Sequence, residues 1–351
     1  MEAHVLASAV ERLRAGGLVA FPTETVYGLG ADALSAQAVA RVFAVKGRPA
    51  HNPLIVHVTG LDMARALVAP GAFDQRATRL TRAFWPGPLS IVLPKAPHVP
   101  DAVTAGGPNV ALRCPDHPVA LALLYAFGGP LVGPSANPSG RVSPTCAQHV
   151  IEAFTHEQVL TLDGGACATG IESTVVSLAG PHAQVLRPGV IGAEQIAHAL
   201  GQHVGYAPHV QAPAADGAGA PGPHPARALD APGLLASHYA PRARCVLIDD
   251  LSELEDLAHE VAPGTTIALL SHSLLAADAD ANDLADGVRV ELIELSHEAP
   301  AYAAMLYAAL RHADARSPAL IAVHAPPRAG ENAQETAIWR AVHDRLSRAT
   351  A

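Results

Sequence analysis

Aromatic residues are scarce in this chain: Phe, Trp and Tyr make up 4% of 351 residues. Its cores must therefore be built mainly from Ala, Val and Leu. Cysteine is scarcer still. Cys114, Cys146, Cys167 and Cys245 lie far apart and form no C-x-x-C pair, which argues against a disulfide framework and for a reduced, cytoplasmic protein. Basic excess is missing as well. The net charge of −9 opposes tight, non-specific binding to nucleic-acid backbone and leaves room only for a local basic pocket. No apolar run approaches a membrane span, and residues 1–14 carry charges inside a helical pattern rather than a signal-peptide layout. What remains is 50% hydrophobic and 16% charged, the balance of a globular protein. Its length implies two domains.

Along the chain, Leu6, Val10 and Leu13 recur at helical spacing, and Gly16-Gly17 ends that helix. Residues 18–21 read as a short buried strand, and Ser35 caps a helix with Val39, Val42 and Phe43 on one face. Further apolar strands are expected at 54–58, 90–93, 110–112, 131–132 and 174–178. Helices near 74–84, 118–127 and 144–153 lie between several of them, which implies an α/β domain over 1–205. Residues 206–241 are crowded with Ala, Pro and Gly and read as a long linker. Beyond it, strands at 245–248, 266–270, 288–295 and 319–323 alternate with helices near 251–260, 299–313 and 333–348. That is a second, smaller α/β domain over 242–351.

Four clusters can carry chemistry. Gly28-Leu29-Gly30-Ala31-Asp32-Ala33, inside the run from Pro22, matches the G-x-G-x-x-A dinucleotide fingerprint. The six residues between strand and first Gly, and Lys46-Gly47-Arg48 where an acid belongs, favour a turn presenting Thr23 and Thr25. Lys46-Gly47-Arg48-Pro49, followed by Asn52-Pro53-Leu54, offers two cations that can converge on a polyphosphate; a solvated basic turn is the competing reading. His57, inside an apolar strand, reads on its own as a core histidine. Gly133-Pro134-Ser135-Ala136-Asn137-Pro138-Ser139-Gly140, then Ser143-Pro144-Thr145, supplies hydroxyls, an amide and free N–H groups for an anion, or a plain turn. Gly170-Ile171-Glu172-Ser173-Thr174 and Arg187-Pro188-Gly189 add a cation after a strand. There is no P-loop, no G-x-S-x-G elbow and no zinc spacing among the 19 histidines, so no metal ligands are expected.

Taken together and in order, these clusters resemble the YrdC-like family, and the full length resembles its two-domain threonylcarbamoyl-AMP synthases. The motifs Pro22-Thr23-Glu24-Thr25-Val26-Tyr27-Gly28-Leu29, Lys46-x-Arg48, Asn52-Pro53-Leu54, Ser135-x-Asn137 and Gly170-Ile171-Glu172-Ser173-Thr174-Val175-Val176 carry the likeness, joined by Ser237-His238-Tyr239-Ala240-Pro241. The resemblance implies a YrdC-like twisted mixed sheet with flanking helices, joined by the linker to a smaller Rossmann-like domain. It implies an enzyme that makes threonylcarbamoyl-adenylate and pyrophosphate from L-threonine, bicarbonate and ATP with Mg2+. A separate tRNA-modifying transferase system would then use the product beside the anticodon. Lys46, Arg48, Ser135 and Asn137 would form the reactive centre. Thr25, His57, Arg113, Gly133 and Ser173 would hold threonine; Arg48, Asn52, Asn109, Ser135, Ser143, Arg187 and Tyr239 would hold ATP. Asn109 and Gly133 depart from the family's usual Thr and Ala or Thr. Tyr239, at the linker's end, is expected to fold back over the site. A carbamoyl-transfer enzyme with a YrdC-like domain, which would need Cys pairs absent here, and a non-catalytic RNA-binding module are the alternatives.

Overall fold

The computed structural model describes residues 3–211, 238–273 and 284–351. Most of the linker expected at 206–241 lies outside the described residues. The chain forms two compact units. The first takes the described residues up to 211, apart from Gly140–Val142 and Thr169–Ile171. Those two segments belong to the second, with the chain from residue 238 on.

The first unit opens with α1 (Ala3–Arg14), β1 (Leu18–Phe21), β2 (Gly28–Asp32), α2 (Ala36–Lys46), β3 (Ile55–His57), α3 (Leu61–Ala66) and α4 (Gln75–Phe84). It continues with β4 (Leu89–Pro94), β5 (Asn109–Arg113), α5 (Pro118–Phe127), β6 (Leu131–Val132), α6 (Ala147–Ile151) and β7 (Val159–Thr161). It ends with β8 (Thr174–Ser177), β9 (Gln184–Arg187), α7 (Ala193–Leu200), β10 (Gly205–Tyr206) and α8 (Pro208–Gln211). The ten strands form one mixed sheet in the order β10-β9-β8-β4-β5-β3-β6-β2-β1-β7. Helix boundaries follow local chemistry. The Ser35 hydroxyl accepts from the Ala38 N–H at the start of α2, and Gly47, left-handed at φ 60°, ends it because such a φ costs glycine little.

One expectation changes here. Gly28 to Gly30 is not a turn but the strand β2, antiparallel to β1, with Val19 opposite Gly30 and Phe21 opposite Gly28. A Cβ at Gly28 would sit 3.1 Å from Phe21 Cζ, and one at Gly30 2.9 Å from the Val19 carbonyl. The glycines let the Phe21 ring lie flat on its neighbour. They do not open a helix, so the dinucleotide reading has no geometry behind it.

Strand alternation divides the sheet's residues between two faces. Val56, Ile91, Leu93, Val110, Leu112 and Val176 join the main core with Val39 and Val42 of α2, Leu80 of α4 and Ile196 of α7. Ile55, Val92, Ala111, Val175 and Leu186 form a smaller cluster with Ala207 on the opposite face. His57, Ser90, Asn109 and Arg113 fall in register with this second set. The polar residues thus lie on the face that the main core leaves uncovered.

The second unit holds β11 (Cys245–Ile248), α9 (Glu253–Ala258), β12 (Thr266–Ser271), a short 3-10 turn (Ala285–Gly287), β13 (Arg289–Glu294), α10 (Ala299–Ala315), β14 (Leu320–His324) and α11 (Ala333–Ala349). Its four strands are all parallel, in the order β11-β14-β12-β13, giving the Rossmann-like layer expected. Ile267, Leu269, Leu320 and Ala322 pack with Leu254 and Leu257 of α9 on one face. Within this unit the Ala240 N–H donates to the Gly140 carbonyl at 2.9 Å. Gly170, at φ +74°, approaches α10 so closely that a Cβ would sit 2.4 Å from Ala304 Cα.

Candidate active site

The site of the first unit is built where parallel β3 and β5 end. His57 and Arg113 are paired neighbours there. Arg113 is buried: Nη1 donates to Thr25 Oγ1 at 2.8 Å, Nε donates to the Gly87 carbonyl at 3.2 Å, and Nη2 lies 2.7 Å from the Glu24 carboxylate as an ion pair without a hydrogen bond of its own. The Thr25 and Thr23 hydroxyls share a 2.8 Å hydrogen bond, and Thr23 Oγ1 donates to the Val26 carbonyl. The Pro22–Tyr27 run is therefore a fixed loop around one guanidinium. Removing one member of such a buried ion pair strands the other, at a typical cost of about 3–5 kcal/mol.

His57 is 2% exposed, and its ring meets Phe21 edge-on at 5.5 Å. Burial and the neighbouring Arg113 charge hold its pKa well below the usual imidazole value. Its Nδ1 is buried without a hydrogen-bond partner, so it is not the satisfied core histidine that its apolar strand suggests. Gly133 explains the space beside it: a Cβ there would stand 2.6 Å from His57 Nδ1. The departure from Ala or Thr at this position has a steric cause in this chain.

Ser173, just before β8, shares a 2.8 Å hydrogen bond with Ser90 of β4. The Arg187 guanidinium, at the end of β9, donates to the Ser173 carbonyl at 2.9 and 3.1 Å and to its hydroxyl at 3.2 Å. Arg48 is held by the Asn52 side-chain carbonyl at 2.6 Å and by the backbone carbonyls of Asn52 and Pro53. Asn52 is fully buried, and its Nδ2 has no partner. Lys46 points its amine at the carbonyls of Ser135 and Asn137; burial, then the Arg48 charge, push its pKa well down. Ser135 is also bridged to Gly28, and the Lys46 carbonyl accepts from the Ser139 N–H at 2.8 Å. These contacts draw the 133–139 loop onto α2 and β2.

Ser143 donates to Glu172 at 2.7 Å in a buried pair. Asn109 begins β5 on the same face as Arg113, four residues away. At the usual strand rise that separates them by about 13 Å, so the two can meet only an extended ligand. Tyr239 lies in the second unit, buried and at φ 64°, stacked on Tyr307 at 5.5 Å with the Arg345 guanidinium 5.6 Å from its ring. Sequence reading assigned no role to Glu24, Glu172 or Ser90. The first two stand inside quoted motifs, which was the available signal. Ser90 sits in an apolar strand with no signal beyond its hydroxyl.

The geometry defines a class: an α/β domain with cationic and hydroxyl groups gathered on one face of a mixed sheet. Residues 11–189 match the family model Sua5_yciO_yrdC, described as "Telomere recombination". Residues 191–351 match the model described as "Threonylcarbamoyl-AMP synthase, C-terminal domain". The chain belongs to the threonylcarbamoyl-AMP synthase family. It is 42% identical over 237 residues to the Pyrococcus abyssi threonylcarbamoyl-AMP synthase, covering 68% of this chain and 66% of the relative. It is 40% identical over 261 residues to the Bacillus subtilis enzyme of that name, covering 74% and 71%. The crystal structure of P. abyssi Sua5 complexed with L-threonine matches at a TM-score of 0.81 and 35% identity, across 99% of this chain and 94% of that one. Among the described residues, no helix is long and apolar enough to cross a membrane.

Proposed function

We propose that the chain forms threonylcarbamoyl-AMP and pyrophosphate from L-threonine, bicarbonate and ATP in the cytoplasm, and that a separate transferase system places the product on tRNA. The supporting observation is the pairing of His57 with Arg113 on one sheet face, with Thr25 bonded to Arg113, Gly133 beside His57, and Ser173 bonded to Ser90 of the same face. Threonine's carboxylate suits the Arg113 end of that face. Its amine must be neutral when it attacks the one-carbon donor, and the unpartnered Nδ1 of an uncharged His57 offers it a hydrogen-bond partner rather than a proton acceptor. His57 is held neutral by burial and by Arg113.

The new carbamate oxygen then attacks the α-phosphorus, and pyrophosphate leaves with the electron pair of the broken P–O bond. Attacking and leaving groups are both anions, so the site's task is alignment and charge neutralisation. Arg48 and Arg187 serve that task. Lys46, with its charge disfavoured by burial, braces the loop that carries Ser135 and Asn137. Ser143, Asn52 and Asn109 line the extended nucleotide, and Tyr239 is assigned to it by resemblance. Mg2+ enters as the companion of the ATP phosphates. Glu24 and Glu172 are engaged with Arg113 and Ser143, and no cluster of described His, Cys, Asp and Glu residues has metal-holding spacing.

Pyrophosphate release tests this reading. Release should require threonine and bicarbonate together, and Arg48→Ala should lower it on the order of a hundredfold. Lys46→Ala should reduce it too, through a loosened loop. Release that ignores threonine would sink the assignment.

A further inference from the structure

The second unit carries a histidine cluster that the synthase chemistry does not use. Three adjacent parallel strands, β14, β12 and β13, each deliver one at or just past the carboxyl end: His324, His272 and His297. The His272 and His324 rings stack at 4.9 Å with a 27° interplanar angle. The Ser271 hydroxyl lies 3.1 Å from His324 Nδ1 and accepts from the Ser273 N–H. His272 Nδ1 is buried with no hydrogen-bond partner. Tyr302 of α10 meets the His272 ring at 6.2 Å; it is fully buried, and its hydroxyl also lacks a partner. Buried polar groups left unpaired are costly and ask for an occupant.

The topology says where an occupant would sit. The chain after β12 returns through the Ala285–Gly287 turn, which packs on α9, whereas the chain after β14 returns as α11, which packs on α10. The Ala285–Gly287 turn and α11 thus pack against helices on opposite faces of the sheet, and the place between the carboxyl ends of β12 and β14 is the usual ligand position in such sheets. Ser271 and His324 reach it from the α9 face and His272 from the α10 face.

We propose that Ser271, His272 and His324 form a second small-ligand site, one that takes a phosphate-bearing anion. The available donors are imidazole N–H groups and a hydroxyl, and Trp339 and Tyr302 behind them are uncharged rings. His297 adds a further imidazole. Asp250, an acidic group near His324, is exposed and already accepts from the Ser252 N–H and hydroxyl. Burial and the neighbouring histidines hold His272 below the usual imidazole pKa, so an anion binds together with a proton and binds more tightly as pH falls. No cluster of described residues has metal-holding spacing, which favours an anion over a cation.

The test is a titration of the full chain, labelled at its histidine rings, with inorganic phosphate, using His272→Gln and His324→Gln to assign signals. The His272 and His324 signals should shift together along a saturating curve. Affinity should rise as pH falls from about 8 to about 6, and sulfate, which takes up no proton in that range, should show the same rise. Arg48→Ala should leave these shifts unchanged, separating them from the first unit's site. Ser271→Ala should weaken binding while an unchanged thermal transition shows that the unit is folded. Signals that stay still, shift without saturating, lose their response in Arg48→Ala, or answer Zn2+ instead of phosphate would overturn the proposal.

Discussion

His57 shows how one residue's setting decides its chemistry. Its folded pKa is depressed by burial and Arg113, while the unfolded chain protonates it at the ordinary imidazole value of about 6.5. Below that value the unfolded state binds a proton that the folded state refuses. This contribution to stability is therefore complete above about pH 6.5 and is lost as pH falls, at about 1.4 kcal/mol per pH unit for one proton. Denaturant midpoints measured from about pH 7 to about pH 5 should fall less steeply for His57→Gln than for the parent chain; parallel slopes would remove the argument. Sequence showed the residue types of this site well. Arg113 bonds Thr25 and Arg187 bonds Ser173, all four being residues that the resemblance carried by the ordered motifs singles out. What it did not show was engagement. That Lys46 turns to two carbonyls, that Glu24 balances Arg113, and that Gly133 makes room for an imidazole all depend on partners 76 to 91 positions away.

Among the elements, strands that were apolar runs were legible, and those defined by partners were not. β1, β6 and β11 have the expected bounds, since each is an unbroken apolar run, and in β1 all four residues are buried. β2 was hidden because its glycines signal a turn locally, yet serve packing against Phe21. The two-residue β10 has too little sequence to show a period. Helix α4 illustrates a boundary set by one side chain: Asp74 accepts from the Arg76 and Ala77 N–H groups and also pairs with Arg76. Asp74→Ala should cost about 1 kcal/mol, read as a lowered denaturant midpoint. Asp74→Asn, which keeps the acceptor, should recover most of it. An Ala variant as stable as the parent would show the cap to be idle.

For the whole molecule, the charge balance sets what the chain can hold. Its cationic groups at the site are buried and engaged, and the net charge is −9, so long polyanions meet repulsion. Mobility-shift assays with bulk tRNA at physiological salt should show no retained complex; retention that declines steeply with salt would reverse this. The two-domain division was foreseeable from composition, because a proline- and glycine-crowded stretch separates two alternating patterns. The ten-stranded sheet carries a further consequence at its margins. It ends in β7, three residues long, and β10, two residues long. Rows of open amides that brief give another chain almost nothing to zip onto. A long open border on so wide a sheet would be a template for aggregation, and borders this short limit that pairing.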